Sequence, residues 1–218
     1  MQTFTPPPGP IRLGLLEMVA DRPFTAPERS HADLDTLERM RARLRDTLAE
    51  TQAAPANPDL EEIHIQYVHE RDGRLHRMVI IDRMALLEQA ERAVVGFFGQ
   101  RRGEANPALL QDVDTELIRE FLYHRYVLCY SSLELDGGNW ANMVILQHID
   151  GIEHWRLSQK HAYAARDLAP LHYSEIRLHN GLLPRGLASP RLLLTATKYY
   201  DFGGGEVWRA IREERNTT

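Results

Sequence analysis

A single cysteine, Cys129, is all the thiol chemistry this chain offers. That excludes an intrachain disulfide and any multi-cysteine zinc or iron–sulfur centre. Cys129 lies in the apolar stretch YVLCYSSLE, so it reads as a buried, inert thiol rather than a nucleophile. No apolar run approaches the roughly eighteen residues that would span a bilayer, so no membrane association is expected. The start, MQTFTPPPGPIRLG, lacks a basic region followed by an apolar core, which does not fit a signal peptide. A cytoplasmic location is therefore the expectation. An excess of positive charge is also missing: 26 Lys and Arg stand against 31 Asp and Glu, a formal charge of -5. With no basic face, nucleic acid is not an expected partner. The longest basic cluster, Arg39 to Arg45, alternates with Met40, Ala42 and Leu44 and meets Asp46, as on the solvated flank of a helix. No GxSxG elbow, Walker loop, kinase motif or HExxH pair occurs.

What is present is a mixed pattern of helices and strands. Residues 1–10 are proline-rich and read as a flexible arm, and Ile11 to Val19 reads as a first strand. Ser30 can cap a helix whose apolar stripe is Leu34, Leu37, Leu44 and Leu48, with Met40 nearby, ending near residue 50. After the linker TQAAPANPD, Ile63–Val68 and Leu75–Ile81 form two strands around Asp72-Gly73, a strong hairpin signal. A helix is predicted from Met84 to Phe98. Asn106-Pro107 opens another, with Leu110, Val113, Leu117 and Phe121 on its apolar face. Tyr126–Leu135 and Trp140–Gln147 make a second hairpin around Asp136-Gly137-Gly138-Asn139. A helix over Ile152–Ala169 follows, stopped by Pro170. The strand LLLTATKYYDF and a short charged helix close the chain.

The two hairpins match: Glu70-x-Asp72-Gly73 then Met78-Val79-Ile80, and Glu134-x-Asp136-Gly137 then Met143-Val144-Ile145. Glu88 and Glu153 fall at equivalent places beyond them. A duplicated strand–turn–strand–helix unit is the reading. The expected fold is α+β, with two ferredoxin-like halves, residues 11–103 and 104–218, of antiparallel sheet with helices on one face.

Six of the ten histidines lie between His124 and His179. On a continuous helix, His154 and His161 fall within roughly 20° of one another on the wheel. Their arc holds Leu157, Ser158, Ala162, Ala164, Ala165, Leu168 and Ala169, with Trp155 at its edge. Such small side chains leave space under the helix. A buried imidazole without a partner costs about 1–3 kcal/mol, so these rings call for hydrogen bonds, water or a ligand. Tyr130, Ser131 and Asn142 on the facing hairpin can supply partners. The alternatives are a polar patch satisfied within the core and a small-molecule pocket. One ion cannot bridge the two histidines directly, because seven residues separate them by about 10.5 Å along a helix. No metal site is therefore expected, although either histidine could be the axial ligand of haem. His172 and His179 read as structural or surface groups, His179-Asn180-Gly181 as a turn exit, and Arg177 as an anchor for an acidic ligand. Gly203-Gly204-Gly205 reads as a loose connection, and of Tyr199 and Tyr200 one should pack inward and one outward.

Residues 125–202 resemble the dimeric α+β barrel superfamily that contains the antibiotic-biosynthesis-monooxygenase-like proteins. The likeness rests on the hairpin YVLCYSSLELDGGNWANMVILQ, the helix beginning HWRLSQKH and the strand LLLTATKYYDF. It implies a barrel that one chain could close by itself or a homo-oligomer could complete, with Asn142, Trp155 and His161 at a pocket for a flat organic molecule or haem. It also implies cofactor-independent oxygenase or isomerase chemistry. The residues then suggest His154 or His161 as proton acceptor and Asn142 as the holder of an oxyanion, with Ser158, Tyr130 and Arg177 contacting the ligand. The spacing of Trp155 and His161 is not that of the haem-degrading members. A non-catalytic assembly or regulatory module is the competing reading.

Overall fold

The computed structural model describes residues 9–52, 64–103, 120 and 124–214. The predicted helix after Asn106-Pro107 lies outside them, except for Glu120. The chain is α+β, with a mostly antiparallel sheet and several helices. In order come β1 (Ile11–Leu13), α1 (Pro27–Gln52), β2 (His64–His69), β3 (Leu75–Ile80), α2 (Arg83–Leu87), β4 (Arg92–Arg101), β5 (Val127–Glu134) and β6 (Trp140–Leu146). There follow α3 (Asp150–Arg156), α4 (Gln159–Tyr163), a π turn over Ala164–Leu168, α5 (Ala169–His172), β7 (Tyr173–Leu187), β8 (Leu193–Asp201) and β9 (Trp208–Glu213).

All nine strands join one sheet in the order β1-β9-β8-β7-β4-β6-β5-β3-β2. Only the β1–β9 pair is parallel. β4, from the first half of the sequence, lies between β6 and β7 from the second, so the expected halves contribute interleaved strands. The sheet ends at β1 and β2, which do not pair with each other.

Four expectations about elements are corrected. The predicted helix over Met84–Phe98 is instead the short α2 followed by β4. β4 is buried on both faces, so its apolar run lacks the alternation that marks a half-buried strand, and the run RAVVGFF has no period of its own. The predicted closing helix is β9, whose alternating burial puts Ala210 and Arg212 inside. The first strand stops at Leu13, where Gly14 and Glu17 close a turn. Finally, His179-Asn180-Gly181 sits within the 15-residue β7, not at a turn.

One face of the sheet is sealed by α1. Leu37, Met40, Leu44 and Leu48 are essentially inaccessible and pack with Met78, Val94, Phe98, Leu133, Met143 and Ile145. Pro27 opens this helix, three residues before the expected cap, its fixed φ suiting the first helical position. Ser30 lies within the first turn and meets the Tyr199 hydroxyl at 3.2 Å. A Cβ on Gly96 would stand 2.6 Å from Leu37 Cδ1, so this glycine sets how closely helix and sheet approach. Cys129 is buried, which pushes its thiol up to about 12, as its inert reading requires.

Two acid–histidine–hydroxyl chains tie α1 to that face. Towards its start, Asp33 Oδ2 lies 2.9 Å from His179 Nε2, and His179 Nδ1 lies 2.9 Å from Thr197 Oγ1. Arg177 also donates to both Asp33 oxygens, at 2.6 and 3.0 Å. Towards its end, Arg43 pairs with Glu70, Glu70 Oε1 lies 2.8 Å from His76 Nδ1, and His76 Nε2 lies 2.7 Å from Ser131 Oγ. Both histidines and both hydroxyl residues are fully buried. The order of groups is that of a hydrolase triad, but no substrate reaches a hydroxyl with no exposed surface. These chains fasten the helix.

Candidate functional site

The second face of the sheet has a different composition, which its register lays out. One row across the strands reads Lys198, Leu178, Phe97, Asn142, Ser132 and Arg77. The neighbouring row reads Ala196, Asn180, Val95, Val144, Tyr130 and Val79. Side chains two apart on a strand share a face, so Tyr200 extends this surface beside Lys198.

Over the apolar part lies Trp155 of α3, packed with Ala93, Val95, Val144 and Leu146 and beside Tyr130, Leu178 and Leu182. His161 of α4 lies against Trp155, with ring centres 4.9 Å apart. Burial lowers the His161 pKa, with help from Arg156 and His124 and against Glu120, so the imidazole is held neutral. Tyr130 donates to Asn142 Oδ1 at 3.2 Å, which leaves the Asn142 amide nitrogen as a donor with no described partner. Arg77 donates to Ser132 Oγ at 3.1 Å and spreads its guanidinium 5.6 Å from the Tyr130 ring centre. Asn180 Oδ1 is buried with no hydrogen-bond partner among the described residues.

The expected continuous helix under the histidines is broken. Ser158 adopts φ -59°, ψ 128°, ends the run of α3 and caps α4 by accepting from the His161 backbone N–H at 3.2 Å. Its hydroxyl donates to Glu120 at 2.6 Å. The wheel that put His154 beside His161 presumed one unbroken helix. His154 is exposed and lies against Tyr126, with ring centres 4.7 Å apart. Trp155, His161, Tyr130 and Asn142 thus lie on the second face, Ser158 supports the helix break at its edge, and His154 stands outside. Arg177 is on the first face, its guanidinium already paired with Asp33.

Lys198 and Tyr200 also belong to this face, beyond the residues that the sequence pattern marks. Lys198 is half-buried, donates no hydrogen bond and has no carboxylate within ion-pairing distance among the described residues. Burial, with Arg156 nearby, lowers its pKa against the pull of Glu153. Burial likewise raises the Tyr200 pKa, opposed by Arg156 and Arg209. The alternation of KYYDF carried the signal, since a lysine flanked by inward positions on a central strand is unusual. Elsewhere, an open cleft of about 480 Å³ separates the two Asp-Gly turns. Arg74 reaches across it to Asp136 at 2.9 Å.

Among the described residues no group of three or more His, Cys, Asp and Glu side chains could hold a metal ion. No described helix is long and apolar enough to cross a membrane. Comparison with known protein families, curated proteins and solved structures finds no match to this chain.

Proposed function

We propose that the second face of the sheet binds a planar aromatic or similar flat organic molecule beneath α3 and α4. The observation that carries this reading is that, on the face that Trp155 and His161 cover, the Asn142 amide nitrogen and Asn180 Oδ1 lack described partners. A buried polar atom left unpaired costs about 1–3 kcal/mol, which a ligand group can recover. Aromatic side chains over an apolar floor favour a flat partner.

If the site is catalytic, cofactor-independent oxygenase or isomerase chemistry suits it. A neutral His161 can accept a proton, and the Asn142 amide can donate to the oxyanion that forms. The likeness to dimeric α+β barrels, with ferredoxin-like halves, belongs to this reading. A homo-oligomer that brought two open faces together would enclose the site. Haem is the second ligand considered, because a neutral imidazole is the form that ligates iron.

A non-catalytic assembly module is the alternative. It is favoured by edge strand β2, whose Ile65 and Tyr67 are 42% and 62% exposed. The experiment is a thermal-shift screen of flat aromatic compounds and haemin against wild type, Asn142→Leu and His161→Leu. Stabilisation of wild type that both variants lose supports the pocket. Hits that bind both variants equally well would remove these residues from it. No hit at all, with a concentration-dependent size reduced by Tyr67→Lys, would favour assembly.

A further inference from the structure

We propose that the ligand of this face is an aromatic carboxylic acid, bound as its anion with the carboxylate against Lys198 and the ring reaching toward Trp155. This rests on the reading of the second face as a ligand site.

The argument starts from the charges around Lys198. Its neighbours on the face are Leu178 across one strand pair and Ile211 across the other, with Tyr200 two residues along. From α3 above, Arg156 adds positive charge, and Glu153 is the carboxylate that counters it. Glu153 pairs with Arg156 at 2.8 Å, and no carboxylate among the described residues lies within ion-pairing distance of the lysine. A half-buried ammonium with apolar flanks and a second cation nearby is electrostatically incomplete. An anion delivered to that position meets it without displacing an internal carboxylate.

The number of spare charges narrows the class. Arg77 is engaged by Ser132, Arg177 by Asp33 and Arg156 by Glu153. Arg209, beside Tyr200, has a partner of its own, so among the described residues Lys198 is the cation of this face left without a hydrogen-bond or ion-pair partner, which matches a monoanion better than a phosphate dianion. The floor beside it, Leu178 and Phe97, is apolar and leads to Trp155. A flat ring with one carboxylate fits both ends of this surface.

The test is calorimetric titration of the full chain with 2-naphthoate and with neutral 2-naphthol, near pH 7. Wild type should prefer naphthoate by about tenfold or more, the worth of one charge-assisted hydrogen bond in a partly buried site. Lys198→Gln should abolish that preference, while Lys198→Arg should keep most of it. Equal binding of the two probes by wild type overturns the carboxylate assignment and leaves the aromatic site standing. A preference that survives Lys198→Gln overturns the role of this lysine. Binding of neither probe overturns both the assignment and the reading beneath it. The wild-type comparison needs no variant, so it decides even if Lys198→Gln folds poorly.

Discussion

The two faces of the sheet are made by the same strands yet solve opposite problems. Beneath α1, His76 and His179 have partners on both ring nitrogens, and apolar side chains fill the space between. On the other face, polar groups stand beside aromatic ones, and the Asn142 amide nitrogen and Asn180 Oδ1 have no partner among the described residues. The lesson is that a buried histidine is informative only with its partners. His76 and His179 look more like catalytic groups than His161 does, yet their chains end on inaccessible hydroxyls. His161 has a ring contact with Trp155 and a surface that remains partly open.

This contrast can be broken most forcefully at Asp33. Asp33→Ala leaves Arg177 and His179 without their shared carboxylate, and should cost about 3–5 kcal/mol, read from urea unfolding. A cost under about 1 kcal/mol would mean that the network does not fasten α1. Gly96→Val drives a side chain into Leu37 and should cost about 1–3 kcal/mol by lifting α1 from the sheet.

The dependence on pH sharpens the same comparison. Burial lowers the His76 pKa, opposed by the Glu70 hydrogen bond, so the unfolded chain binds a proton that the folded chain resists. Stability should therefore fall as the pH drops below about 6.5, the unfolded histidine value, until the lowered folded value is passed. His161 contributes with the same sign. Burial pushes the Asp33 pKa up, but hydrogen bonds from His179 and Arg177 outweigh it, and its carboxyl ends below its ordinary value. Hydrogen bonding from Arg43 lowers Glu70 despite burial, with His76 adding to the effect. A further loss should follow as the pH falls below the unfolded carboxylate range, near 4, and through these lowered values. Urea midpoints between pH 3 and 8 should trace both steps, and His76→Gln should shrink the upper one. The smallest effect on stability belongs to the open face. Tyr130→Phe removes one hydrogen bond, at 3.2 Å, to a half-buried asparagine, and should change unfolding by under about 1 kcal/mol.

Much of the sealed face was legible in the sequence, and less of the open one. The α1 stripe follows from a period of 3.6, and both hairpins from their Asp-Gly turns. β4 escaped because a strand covered on both sides carries no period, and β9 because one of its buried positions, Arg212, is charged. Tyr130, Asn142, Trp155 and His161 were placed together through the hairpin and helix pattern. His154 was added only by treating HWRLSQKH as unbroken, although Ser158 carried the capping signal that divides it. Lys198 was hidden because strand alternation tells which residues share a face, not which of them lack partners.

Methyl-resolved NMR of the full chain during addition of 2-naphthoate tests the central claim most directly. The account predicts shifts at Val95, Val144 and Leu178 of the second face, with Leu37, Leu44 and Met40 beneath α1 unmoved. Shifts confined to the α1 methyls, or none at saturating ligand, would contradict it.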